Sequence, residues 1–157
     1  MPYKTFQGSL DAAKLRIGIV VSRFNGFITE QLERGALDAL EKHGCVHENI
    51  RLVKVPGAWE LPVAATCLAP FCDAIVALGA VVRGDTPHFE YVARGAADGL
   101  SQVSLNTGVP VAFGVLTTDD LQQAMDRAGG KSGNKGFEAA EAAIELANLR
   151  AQLRESS

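Results

Sequence analysis

The sequence predicts one α/β domain over residues 1–157, a three-layer sandwich with a four-stranded parallel sheet between two layers of helices. Short apolar runs alternate along the chain with segments whose apolar residues recur at helical spacing. Such alternation requires crossover connections, which make neighbouring strands parallel and place helices on both faces of the sheet. The length of 157 residues and the 47% content of hydrophobic residues suit one domain with a sizeable core.

The first half of the chain contains two strand–helix units. Residues 15–21 form an apolar run rich in β-branched side chains, too short for a buried helix and typical of a strand covered on both faces. Residues 28–40 then carry apolar side chains at helical spacing, and Gly44 follows as a stop signal. A second strand is predicted over residues 50–55 and a second helix over residues 59–68.

The second half of the chain repeats this alternation and adds one more helix. Residues 74–82 form the clearest strand, and a long helix is predicted over residues 87–106. A fourth strand over residues 109–116 precedes a short helix over residues 119–128. After a glycine-rich turn, an alanine-rich helix is predicted over residues 139–153.

Charge and composition exclude several classes of protein. Lys and Arg number 15 against 18 Asp and Glu, so no basic surface for nucleic acid is expected. No apolar run approaches the roughly 20 residues that cross a bilayer, and the first residues lack the apolar stretch of a secretory signal. Three cysteines suit reduced thiols, so we expect a cytoplasmic protein without a membrane partner.

No metal site is predicted. His43, Cys45 and His47 are potential ligands within a short segment, but no second cluster completes a set of four. Residues 129–132 imitate the end of a phosphate-binding P-loop, but they follow a helix instead of a strand and lack the required earlier glycine.

Functional residues are expected where the strands end, because ligands of open parallel sheets bind beyond the carboxyl ends of the strands. The four predicted strands are followed by loops that bring aromatic, acidic, imidazole and hydroxyl groups to one edge of the sheet. These loops comprise residues 22–25, 56–60, 83–88 and 114–118.

The loop after the third strand combines a helix start with a histidine. Thr86 is a candidate N-cap and Pro87 suits the first helical position, so free backbone N–H groups there could bind an anion or only water. An anion would require the carboxylate of Asp85 to turn away. The imidazole of His88 could transfer protons near neutral pH, or His88 could be a solvent-facing or capping residue.

Four other side chains are candidate site residues, and each of them also has an alternative structural role. Phe24 suits stacking on a planar heterocycle or packing beneath its loop. Trp59 offers a ring for a site or for the core, and Glu60 is either an acceptor or a charge in the first turn of a helix. Phe113 lies within a predicted strand and, by itself, is expected in the core.

Segments in one order along the chain resemble the 6,7-dimethyl-8-ribityllumazine synthase family, which catalyses the penultimate step of riboflavin biosynthesis. The strongest segments are residues 79–90 (GAVVRGDTPHFE) and 110–118 (PVAFGVLTT). Residues 127–129 and 133–136 follow in register, and the resemblance extends from about residue 16 to residue 149. It implies a flavodoxin-like order of the parallel strands.

The resemblance implies condensation of 5-amino-6-(D-ribitylamino)uracil with 3,4-dihydroxy-2-butanone 4-phosphate, releasing phosphate and water, by acid–base and proximity catalysis without a metal or organic cofactor. His88 would transfer protons. The residues implied to hold the pyrimidine and its ribityl chain are Phe24, Ala58, Trp59, Glu60, Ala80, Val81, Val82 and Phe113. Those implied to hold the substrate phosphate are Gly84, Asp85, Thr86, Arg127 and Lys135. Trp59 stands where the family often has Phe or Tyr, and its bulk could change ligand affinity.

The resemblance also implies a homo-oligomer. Family members form pentamers, and in many of them twelve pentamers close into an icosahedral shell of 60 subunits. Phe113 and Arg127 would come from the neighbouring subunit, and residues 3–6 would add an edge strand to a neighbour. Gly95 and Gly99 would permit close helix approach at a ring interface or within the chain. Riboflavin synthase is a candidate protein partner.

Two other functions remain open for the same residues: a flavin or lumazine carrier without turnover, and a structural shell protein with an incidental site. The presence of both His88 and Arg127 favours the enzyme, because a carrier needs no site for phosphate elimination.

Overall fold

Four parallel strands form the central sheet in the computed structural model, which describes residues 2–156. They are β1 (Ile17–Ser22), β2 (Ile50–Val55), β3 (Ala74–Val82) and β4 (Val111–Thr118), in the spatial order β2-β1-β3-β4. The helices are α1 (Gly26–Lys42), α2 (Leu61–Leu68), α3 (His88–Thr107), α4 (Leu121–Arg127) and α5 (Lys135–Glu155). Over the same residues, none of these helices is long and apolar enough to cross a bilayer. The predicted α/β sandwich with a flavodoxin-like parallel sheet is confirmed.

A hydrophobic core lies on each face of the sheet, between the sheet and a layer of helices. Because side chains alternate along β3, Val76 and Leu78 pack in the core with α1 and α5, whereas Ile75 and Ala77 pack in the core with α2 and α3. All four are inaccessible to solvent. β3 is therefore covered on both faces, with β1 at one edge and β4 at the other.

The fourth strand begins and ends two residues later than the predicted range, 109–116. Pro110 has no N–H to donate, although its carbonyl accepts a hydrogen bond from the N–H of Ile75 at 2.8 Å. At the other end, pairing with β3 continues as far as Val82 and Thr118. Thr117 and Thr118, which resemble a polar loop in the sequence, therefore belong to the sheet because they pair with the last two residues of β3.

The glycine-rich segment forms a small hairpin, where the sequence indicated only a turn. Strands β5 (Ala128–Gly130) and β6 (Gly133–Asn134) pair in antiparallel fashion. Gly129 and Gly133 have φ angles of 105° and 85°, a region that favours glycine. The hairpin joins the end of α4 to the start of α5.

The last helix begins at Lys135, four residues before the predicted range, 139–153, because of its N-cap. Asn134 Oδ1 accepts hydrogen bonds from the backbone N–H groups of Gly136 at 2.8 Å and Phe137 at 3.1 Å. Its Nδ2 donates to the carbonyl of Gln31, in α1, at 3.0 Å. One side chain therefore starts α5 and ties it to α1.

The segment that precedes β1 lies along α5. Asn148 Nδ2 donates to the carbonyl of Ser9 at 2.9 Å, and Gln152 Nε2 donates to the carbonyl of Gln7 at 3.0 Å. Residues 3–6 lie beyond these contacts and are exposed. Their addition to the sheet of a neighbouring subunit stays a prediction.

The cysteines form no disulfide in the part of the chain that the structure describes. Cys67 is exposed, whereas Cys45 and Cys72 are buried. Burial disfavours the thiolate and raises the pKa of both buried thiols above the usual value. Cys45 and Cys72 therefore belong to the packed interior.

The substitution Asn134→Ala should lower the free energy of unfolding by about 1–2 kcal/mol, because it leaves the first N–H groups of α5 without their cap. Urea unfolding at a fixed protein concentration measures the change. Asn106→Ala, which removes an exposed amide in the last turn of α3, is the matched control and should change stability by less than about 0.5 kcal/mol. Equal effects of the two substitutions would contradict the role given to Asn134.

Candidate active site

A cavity of about 800 Å³ opens at the carboxyl ends of β1, β2 and β3. Three of the four loops identified in the sequence meet there, as expected for a parallel sheet. The sequence-predicted site residues that line it are Phe24, Ala58, Trp59, Glu60, Ala80, Val81, Val82, Gly84, Thr86 and His88.

The loop after β1 is tied to both neighbouring strands. The N–H of Phe24 donates to the carbonyl of Pro56 at 3.0 Å, and Asn25 Nδ2 donates to the carbonyl of Ala80 at 3.0 Å. Asn25 has a φ of 60°, a left-handed conformation that Asn tolerates better than most residues. Phe24 is 71% exposed and lines the cavity, so it is not packed beneath the loop.

A short 3₁₀ turn, Ala58–Glu60, carries the next three residues of the cavity wall. Glu60 Oε1 accepts a hydrogen bond from the N–H of Gly57 at 2.8 Å, and the N–H of Glu60 donates to the carbonyl of Gly57 at 3.2 Å. These reciprocal bonds fix the half-buried carboxylate at the cavity. Its second oxygen, Oε2, accepts no hydrogen bond from the residues that the structure describes.

Trp59 is 61% exposed and rests against α3, not in the core. The six-membered part of its indole lies over Gly95, where an added Cβ would collide with it. One turn later, Gly99 faces Pro62 in the same way. Both glycines therefore allow α3 to pack closely against Trp59 and Pro62, at the start of α2, within one chain.

The loop between β3 and α3 places His88 at the mouth of the cavity. Pro87, not the predicted Thr86, is the N-cap, because the chain turns helical only at His88. The Thr86 hydroxyl accepts a hydrogen bond from the N–H of His88 at 3.4 Å, which is too long for a strong cap. Gly84, Thr86 and His88 line the cavity.

Four predicted site residues lie outside this cavity: Phe113, Asp85, Arg127 and Lys135. Phe113 is 46% exposed, so the expectation of a core position is wrong; β4 is an edge strand of the sheet. The guanidinium of Arg127 donates to the carbonyl of Gln123 at 2.9 Å, and Lys135 Nζ lies 3.7 Å from Glu138.

Sequence reasoning missed six residues of the cavity wall: Asn25, Pro56, Gly57, Phe89, Tyr91 and Val92. Tyr91 and Val92 follow His88 by three and four residues on α3, so a helical projection from His88 would have found these two. The sequence identified Asn25 only as part of a turn. Its hydrogen bond to Ala80 joins residues that are far apart in the sequence, so it leaves no local pattern.

The lining carries little formal charge. Glu60 is its one carboxylate, and none of the described lining residues is Lys or Arg. Across residues 2–156, no cluster of His, Cys, Asp and Glu side chains has the arrangement of a metal site. The cavity thus offers aromatic rings, one acceptor carboxylate, an imidazole and the amino end of a helix.

The model of the 6,7-dimethyl-8-ribityllumazine synthase family matches residues 14–151, which is most of the chain. The chain belongs to this family. The resemblance drawn from the motifs is thereby confirmed, and membership implies an enzyme of riboflavin biosynthesis, a transferase with small-molecule substrates that assembles as a homo-oligomer.

Trp59 is the single tryptophan of the chain, so its fluorescence reports on this wall of the cavity. Gly95→Ala should push the indole away from α3 and increase its quenching by acrylamide, because the added methyl occupies the place of the ring. Gly99→Ala, which meets Pro62 instead, is the matched control and should leave quenching nearly unchanged. The contact with Gly95 would be refuted by unchanged quenching in Gly95→Ala.

Proposed function

We propose that the protein condenses 5-amino-6-(D-ribitylamino)uracil with 3,4-dihydroxy-2-butanone 4-phosphate to form 6,7-dimethyl-8-ribityllumazine, phosphate and water. The observation that carries this proposal is the convergence of Phe24, Glu60 and His88 on one cavity in a chain of the lumazine synthase family. The cavity volume of about 800 Å³ suits two small substrates bound together.

The pyrimidine occupies the aromatic side of the cavity. The exposed ring of Phe24 stacks on the heterocycle, and the backbone of Ala80, Val81 and Val82 contacts its edge. Glu60 accepts hydrogen bonds from the hydroxyl groups of the ribityl chain through its second carboxylate oxygen. The bond from Gly57 supports this role, because it holds the carboxylate in place before substrate arrives.

The phosphate of the second substrate binds at the start of α3. Backbone N–H groups of residues 84–86 and the helix dipole of α3 favour an anion there. The carboxylate of Asp85, whose residue is exposed and outside the cavity lining, is kept away from the phosphate.

The positive charge for the phosphate comes from a neighbouring subunit. Arg127 and Lys135 are exposed, and neither lines the cavity of its own chain. Phe113 is also exposed on its own chain and covers the neighbour's pyrimidine site. The assembly is a homopentamer, with an icosahedral shell of twelve pentamers as its larger form, and riboflavin synthase is a candidate consumer of the product.

His88 moves the protons of the reaction. The amine of the pyrimidine attacks the ketone, and loss of water from the adduct gives an imine. Deprotonation of this imine at C3 expels phosphate from C4 and leaves an enol, which takes up a proton to become a ketone. Attack of the ribitylamino nitrogen on this ketone closes the ring with loss of a second water. Each step moves protons without net oxidation, so an imidazole and close alignment of the substrates suffice, and no metal or organic cofactor takes part.

The decisive assay mixes the two substrates with the protein and follows the fluorescence of the lumazine product. His88→Ala should lower kcat by about 100- to 10,000-fold and leave residual turnover, because proximity still contributes. His47→Ala, which removes an exposed imidazole next to Glu41, is the control and should leave kcat unchanged. Ligand binding without any product from excess wild-type protein would refute the enzyme and indicate a carrier.

Arg127→Ala should raise KM for the phosphate substrate by about 10- to 100-fold, the usual cost of a lost charge-assisted hydrogen bond, and change KM for the pyrimidine far less. Arg34→Ala, at an exposed position within α1, is the control. Equal changes in both KM values would count against the assignment of Arg127 to the phosphate.

Coexpression of the His88→Ala and Arg127→Ala chains tests whether the site is shared. Random mixing in a ring gives intact His88 and Arg127 at about one quarter of the interfaces, so activity should reappear although each variant alone is impaired. A mixture no more active than the two variants assayed separately would place Arg127 outside the neighbour's site.

A further inference from the structure

Arg83 contacts three side chains beside the cavity without lining it. Its Nε lies 3.0 Å from Asp119 Oδ1, after β4, and its Nη1 lies 3.8 Å from Glu90 Oε1, in the first turn of α3. Its guanidinium stacks on the ring of Phe89, with Cζ 4.6 Å from the ring centroid. Phe89 follows His88 directly and itself lines the cavity.

Residues 84–88, which join Arg83 to Phe89, make few hydrogen bonds of their own. Residues 84–88 are all exposed, and the bond from the N–H of His88 to the Thr86 hydroxyl, at 3.4 Å, is long. Arg83 fixes the start of the segment, because its N–H donates to the carbonyl of Thr118 at 2.8 Å. Its side chain fixes the far end through Phe89 and Glu90.

The charge of Arg83 is already matched by carboxylates. Asp119 and Glu90 both face its guanidinium, and a cation engaged in this way is a poor ligand for a substrate phosphate. Arg83 is also absent from the described residues that line the cavity. Its contacts therefore suit holding the loop and not binding the substrate.

We propose that Arg83 is a positioning residue, which clamps residues 84–88 between β4 and α3 so that the backbone N–H groups and His88 keep one geometry. The catalytic consequence rests on the function proposed above. The clamp itself does not, because it is a property of the free protein.

Kinetics of Arg83→Gln and Arg83→Lys test the catalytic consequence. In Arg83→Gln, KM for the phosphate substrate should rise about tenfold and kcat should fall about tenfold, whereas KM for the pyrimidine should stay within about twofold. Arg83→Lys keeps the charge but loses the planar stack on Phe89, so it should restore part of the loss. Arg34→Gln is the matched control. Equal changes in both KM values would overturn the proposal.

Hydrogen exchange in the free protein tests the clamp independently of turnover. In Arg83→Gln, the backbone amides of His88 and Glu90, which donate hydrogen bonds to Thr86 and Pro87, should exchange at least about threefold faster, while the amides of β3 stay protected. Unchanged exchange in the loop overturns the clamp even in an active enzyme. Faster exchange in a protein without synthase activity upholds the clamp and refutes the proposed function instead.

The substitution Asp119→Asn tests the same contact without changing Arg83. It removes the closer carboxylate and should speed exchange in the same loop. Because both residues act through one contact, the double variant Arg83→Gln/Asp119→Asn should exchange no faster than Arg83→Gln alone. Strictly additive effects of the two substitutions would show independent roles and would overturn the proposal.

Discussion

The parallel pairing of β1 and β3 is the constraint on which the site depends. Val21 pairs with Leu78 across the two strands, and the loop after each strand then turns to the same edge of the sheet. This pairing brings Asn25 close enough to bond to Ala80, and it sets Phe24 opposite the loop that carries His88. A different register would separate the aromatic wall from the imidazole, even if every local turn were kept.

Much of the fold could be predicted from the sequence, because the strongest signals were local. β2 and β3 were predicted with their observed ends, since β3 is a continuous apolar run and β2 stops at the turn signal Pro56-Gly57. The end of β4 could not be predicted, because Thr117 and Thr118 join the sheet only through pairing with β3. The start of α5 was missed although it is local, because Asn134 caps the helix through bonds to Gly136 and Phe137 within a segment whose glycines indicated only a turn.

The candidate site likewise contains residues that the sequence predicts and residues that it does not. Residues in the loops after β1, β2 and β3 were predicted because each loop follows a recognisable strand, and they meet in one cavity. Residue type alone predicts the wrong place for Phe113, because an aromatic side chain in a strand suggests a core position and gives no sign that the strand lies at the edge of the sheet. The role proposed for Arg127 in a neighbouring subunit rests on the family resemblance, because no pattern within one chain indicates a contact between chains.

The contact of Gln152 with Gln7 has a consequence for engineering. It holds the segment that precedes β1 against the last turn of α5, so residues 7 and 152 are neighbours in space. A short flexible linker could therefore join these two positions, and new termini could open in an exposed turn such as that between β5 and β6. A circularly permuted chain of this kind would keep the central sheet and its loops while moving the attachment point for a fused cargo.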